Sequence, residues 1–404
     1  MRPVVLLSGA GHFHTSLLRH IACLTLICTV QLTTAAGQQY LCNQGSGKFQ
    51  ARTREGVVVT VGPEIEEGLA KRDCDASISW GKEQLTVATN AATVDLDTMG
   101  PTLSGIGPVA AFQVRSNPNR FMSYVIYSLQ RPPRLLRTLT GASAFSAADT
   151  GLENQVEIWA DDAAAVDGLD GLLASEFEFP PVFALRFEHG RLLDVSAEFQ
   201  PYFNHMVALV RASLTAQDLE AFKRSDGQLS LKSVVSAERF HQLRQTKIKV
   251  LEVVWAYLYS GREQQAWQAL DNMWPRSDIP RIRRAISSAR ARGIESQIDG
   301  FAPEVHKRRK HTGIYQVPEV TPPRVIQMSV PSSNRPLQQV VPDINVNIEL
   351  VIDCAGKVHS LESSGPEWVH DYLEDAAKQW KFIPAFKGAQ SVASRLEMDV
   401  SLRR

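Results

Sequence analysis

The stretch Asp149-x-Gly151-x-Glu153-Asn154-x-x-Glu157 places oxygen donors at the spacing of a calcium loop of the D-x-D-x-D-G-x-x-E kind, with Asp161 and Asp162 close behind. A calcium ion takes about six to eight oxygens from such a loop. Here Gly151 replaces one ligand and Asn154 stands where a glycine permits the sharp turn, so a solvated acidic turn is expected and no metal. Glu188-His189 and His205 carry the side chains that could act as general bases. No nucleophile accompanies either at a meaningful spacing, so turn and cap roles are expected. The chain contains no Gly-x-Ser-x-Gly elbow, His-Glu-x-x-His, phosphate-binding glycine loop or Cys-x-x-Cys pair. No enzymatic activity and no cofactor are expected.

The cysteines suggest redox context rather than catalysis. Of five, Cys23 and Cys28 lie in the N-terminal segment, Cys42 and Cys74 share one region, and Cys354 stands apart. A Cys42–Cys74 disulfide, closing a loop of about 30 residues, would stabilise by about 3–4 kcal/mol on the chain-entropy model. Cys354 reads as a tolerated thiol in a turn. Arg2 and Arg19, the apolar run Ile21–Leu32 and the small residues Thr33 to Gly37 describe a secretory signal, residues 1–36, cleaved after Ala36. The competing reading is an uncleaved anchor from about Leu17 to Ala36, the one route to membrane contact. Either places the chain in the periplasm or cell envelope. The 43 basic and 43 acidic residues balance, which argues against a nucleic-acid partner, and losing two arginines leaves the mature chain at −2.

The elements that position these residues imply an α+β multidomain chain. Short β-branched and aromatic runs separated by Gly, Pro and Asn make residues 40–133 a β-rich domain. Residues 134–200 read as a mixed β region, with strands at Val156–Trp159 and Val182–Phe187. Residues 201–298 read as helical. Thr215-x-x-Asp218 is a variant capping box, Ser236 caps a long helix, and Gly261 stops it. Ala256, Gly261, Ala266, Leu270 and Pro275 resemble one tetratricopeptide unit. Residues 299–342 hold seven prolines and the basic run His306–His311, and read as an extended spacer.

Residues 343–404 alternate almost perfectly. Ile344, Val346, Ile348, Leu350 and Ile352 share one face of a strand, then a turn at Asp353–Gly356, a second strand, a helix from about Glu367 to Trp380, and a last strand at Ser394–Leu402. An antiparallel sheet with one packed helix is expected. Asp353, Gly356, Ser364-Gly365, the block Trp380-Lys381-Phe382-Ile383-Pro384-Ala385, and Gly388 make residues 322–404 resemble the C-terminal domain of TonB-type energy transducers. The resemblance implies that these motif residues are structural. It also implies that an open strand edge, here Arg395, Leu396, Glu397, Met398, Asp399 and Val400, captures an extended segment of a protein partner such as an outer-membrane receptor. The Tyr-Pro-x-x-Ala helix of transducers is replaced by Val330-Pro331-Ser332-Ser333-Asn334, and Ser16-Leu17-Leu18-Arg19-His20 precedes the apolar run instead of lying inside it. Partner recognition in the envelope, in support of outer-membrane transport, is therefore the leading expectation and motor coupling is not. The alternative is a non-transducing scaffold that binds through its helical hairpin and β-domain.

Overall fold

The computed structural model describes residues 40–66, 69–116, 120–229, 236–302, 313–317, 319–328 and 344–402. Residues 1–36, where a signal is expected, the basic run 306–311 and residues 330–334 lie outside them. The chain is α+β, with several antiparallel sheets and seven helices among the described residues. No described helix is long and apolar enough to cross a membrane.

The first sheet runs in the order β2 (Phe49–Arg52), β3 (Val58–Glu66), β4 (Leu69–Trp80), β5 (Glu83–Leu103), β6 (Gly107–Ser116), β7 (Met122–Ser128) and β8 (Arg134–Ala142), and β1 (Cys42–Asn43) pairs with β5. The sheet continues past Pro132-Pro133, because β7 and β8 form a hairpin around that turn. Val59, Val61, Ile78, Val94, Leu96 and Phe112 fill its core. Cys42 and Cys74 are bonded within that core.

A second sheet has the order β12 (Arg191–Asp194), β11 (Val182–Glu188), β10 (Glu157–Asp161) and β9 (Phe145–Ala148). Buried polar side chains stitch it to the first. Asp97 accepts from the Ala147 N–H at 2.7 Å and Gln113 accepts from the Phe145 N–H at 3.0 Å.

A short turn α1 (Ala163–Val166) precedes the helical region, which holds α2 (Gln200–Ala212), α3 (Ala216–Lys223), α4 (Ala237–Tyr259), α5 (Glu263–Met273) and α6 (Ile279–Arg292). The Thr215 and Ser236 hydroxyls accept from the N–H groups of Asp218 and Arg239, satisfying donors that a helix start leaves free. Gly261 takes φ +77° between α4 and α5, where an L side chain would be strained. Ala266 and Leu270 of α5 are fully buried in the hairpin.

In the tail, β14 (Ile344–Ile352) lies between β15 (Val358–Ser363) and β19 (Ser394–Leu402), all antiparallel, and α7 (Glu367–Ala377) covers one face. Val346, Ile348, Leu350 and Ile352 meet Val369, Leu373, Trp380 and Phe382 there, all at most 1% exposed. β17 (Ala385–Lys387) and β18 (Gln390–Val392) form a hairpin turned at Gly388.

The described part of the proline-rich stretch is not a free spacer. β13 (Arg324–Gln327) pairs with β16 (Lys381–Ile383), and Thr321 bridges Phe386. Ile326 and Ile383 are buried in the core of the first sheet. Extended proline-containing backbone has unpaired polar groups, and here a neighbouring edge supplies partners.

Candidate partner-binding strand edge

β19 is a strand because it alternates: Leu396 and Met398 pack toward α7 while Arg395, Glu397 and Asp399 face away. Its register on β14 runs without a slip from Ser394–Ile352 to Leu402–Ile344. Backbone direction along a strand also alternates, and two bonds fix its phase. The Arg395 N–H donates to the Tyr315 carbonyl at 2.9 Å, away from β14. Asn347, opposite Asp399, directs its carbonyl to the Ser364 N–H on the β15 side. The N–H and C=O groups of Glu397, Asp399 and Ser401 therefore point outward, and no described strand pairs with them.

The structure thus divides the six edge residues. Leu396, Met398 and Val400 spend their backbone groups on β14 and can contribute only side chains to a partner. Arg395 is occupied by Tyr315, which also donates its N–H to the Ala393 carbonyl at 3.0 Å. Glu397 and Asp399 are exposed and open.

The face on which these acids stand is also patterned. Glu349 lies directly opposite both Glu362 on β15 and Glu397 on β19, giving a row of three glutamates across the sheet. Arg395 is paired to Glu349, and the Asn347 amide donates to Asp399 at 3.1 Å.

The motif residues hold this sheet in place. Gly356 has φ +85°, and a Cβ there would lie 1.9 Å from the Phe382 carbonyl oxygen. The Phe382 N–H donates to the Gly356 carbonyl at 2.8 Å, so the turn and the Trp-x-Phe segment need a glycine at this contact. Asp353 is buried and caps its own turn, accepting from the Ala355 and Lys357 N–H groups at 2.9 and 2.8 Å. Ser364 bonds Asn347, Gly365 touches Val346 and Val369, Pro384 lies beside Gly356, and Ala385 is fully buried.

Behind the sheet, the half-buried Lys357 and the buried Lys381 bind the tail to β5. Lys357 donates to the Asp97 carboxylate at 2.5 Å, and Lys381 is paired with Asp95. Asp97 also accepts from the Tyr124 hydroxyl at 2.6 Å. The Thr98 hydroxyl donates to the Ala355 carbonyl at 2.5 Å, and Arg54 reaches Gly388 and Thr321. Apart from Lys381 and Gly388, which lie in the expected motif, none of these residues is among the expected site residues. Asp95 and Asp97 alternate with Val94 and Leu96 and read as solvent-facing, and the only hint was a lysine between Trp380 and Phe382.

The acidic loop at 149–157 is built for capping. Asp149 is 1% exposed, and its oxygens accept from the N–H groups of Glu153 and Asn154 at 2.9 and 2.7 Å and from the Cys354 thiol. Its own N–H donates to Asp353 at 2.7 Å. Burial and the neighbouring Asp149 charge push the Asp353 carboxyl up to about 7, and burial holds the Cys354 thiol well above its ordinary range. Among the described residues no group of three or more His, Cys, Asp or Glu side chains is placed to hold a metal ion. Glu157 and Glu188 surround the buried Arg186 together with Glu198. His189 sits exposed at φ +51° in the β11–β12 turn, and His205 is exposed on α2.

No family model, no curated protein and no solved structure matches this chain.

Proposed function

We propose that this chain is a cell-envelope protein that binds a protein partner by adding an extended segment of it to the outer edge of β19. One observation carries the reading: the backbone groups of Glu397, Asp399 and Ser401 lie on an edge with no partner strand among the described residues. Unpaired edges template strand addition, and proteins that do not use them generally cover them. The likeness of the tail to TonB-type C-terminal domains supports the same surface and suggests an outer-membrane receptor as partner. The N-terminal signal supports a periplasmic location.

The Lys357–Asp97 and Lys381–Asp95 pairs favour a receiving domain held fixed on its own β-rich body over one reaching out on a free spacer. That arrangement suits recognition better than energy coupling. The test uses the mature full chain and labelled extended peptides from the N-terminal segments of outer-membrane receptors. Wild type binds at least one of them and Glu397→Pro, which loses an outward N–H, does not. Binding by no peptide, or equal binding by Glu397→Pro, overturns the reading.

A further inference from the structure

The open edge has a defined length and a defined charge. Tyr315 takes the outward N–H of Arg395, and the described strand ends at Leu402, leaving three residues with both outward groups open, Glu397, Asp399 and Ser401. A partner pairing with all three is about five residues long. On the solvent face it meets a sheet carrying Glu362, Glu349, Glu397 and Asp399, with Arg395 the one cation paired to them among the described residues. Like charges directly across a sheet are destabilising, so the free protein retains an unfavourable row at this place. On the opposite face the partner borders Leu396 and Met398, both half-buried.

Resting on the strand-capture reading above, we propose that the occupant of this edge is a short extended segment with basic residues at alternate positions, a (Lys/Arg)-x-(Lys/Arg) pattern with apolar residues between. Pairing with β19 sets the residues opposite Glu397 and Asp399 two apart and on the acid-bearing face, whichever way the partner strand runs. A lysine or arginine there neutralises the end of the glutamate row, and the intervening apolar residue lies along Met398. A second copy of the chain is a poor occupant, because edge-to-edge pairing of two β19 strands would bring the acids of each copy together.

The test measures binding to the mature full chain of three labelled pentapeptides, VKVKV, VQVQV and VEVEV, each also prepared with alternate backbone N-methylation. The expected order is VKVKV over VQVQV over VEVEV, with roughly tenfold or more between the extremes. Binding is lost on N-methylation, and the preference is reversed in the Glu397→Lys/Asp399→Lys variant. Equal, methylation-sensitive binding of all three peptides sinks the basic-segment inference and leaves strand capture standing. Binding of VKVKV that ignores N-methylation also sinks the inference, since it shows charge attraction without pairing. No methylation-sensitive binding by any peptide, in either protein, removes both.

Discussion

Asp95 and Lys381 are far apart in sequence, yet the carboxylate of one and the ammonium of the other meet where almost no water reaches them. Burying two charges is costly, and removing one member leaves the other uncompensated. Lys381→Met should therefore destabilise the full chain by about 3–5 kcal/mol in urea unfolding, and adding Asp95→Leu should recover most of that loss. A single variant as stable as wild type would mean that the pair does not hold the tail. A second residue-scale consequence concerns pH. Glu252 is 3% exposed on α4, and burial pushes its carboxyl up to about 7 while the Phe179 N–H donates to it at 2.9 Å. Between its unfolded value and about 7 the native chain keeps this proton and the unfolded chain does not. The resulting stability is greatest at the acid end and declines as pH rises through that window. Glu252→Gln should shrink the drop in unfolding free energy between about pH 5 and pH 8 by about 1–3 kcal/mol. Parallel wild-type and variant profiles would contradict it.

At the scale of elements, β19 gives two adjacent positions opposite sensitivities. The Met398 backbone groups bond β14, whereas those of Glu397 point away. Proline removes one N–H, so Met398→Pro should break the ladder and cost about 3 kcal/mol or more, whereas Glu397→Pro should cost much less and act on binding. Equal losses in thermal melting would show that the phase assigned to the strand is wrong. Much of this element was legible beforehand. The apolar-polar alternation of Ile344–Ile352 and Arg395–Leu402 marks both strands, Ser236 and Gly261 bound a helix, and Gly388 marks a hairpin. Local signals sufficed because each depends on neighbours a few residues away. Tyr315 carried no such signal, since its role as the cap on the first outward position of β19 arises only when residues some eighty positions apart in the sequence are brought together.

For the whole molecule, the same contrast explains what could not be read. Val94-Asp95-Leu96-Asp97 has the pattern of a half-exposed strand, and its buried aspartates are compensated by Lys381 and Lys357, which arrive from 286 and 260 residues away. The spacer expected at 299–342 contributes Ile326 to the core of the first sheet for the same reason. Gly37–Arg404 consequently forms one compact unit, and in the proposal made above the tail is a fixed face of it whose outer edge receives the partner. Residue-resolved amide hydrogen exchange on the mature full chain tests that claim most directly, first alone and then with saturating VKVKV peptide. The account predicts that the Glu397, Asp399 and Ser401 amides exchange fast in the free protein, that Met398 and Val400 exchange slowly, and that the peptide protects the first three. Slow exchange at all five amides in the free protein, or no added protection with peptide bound, would contradict it.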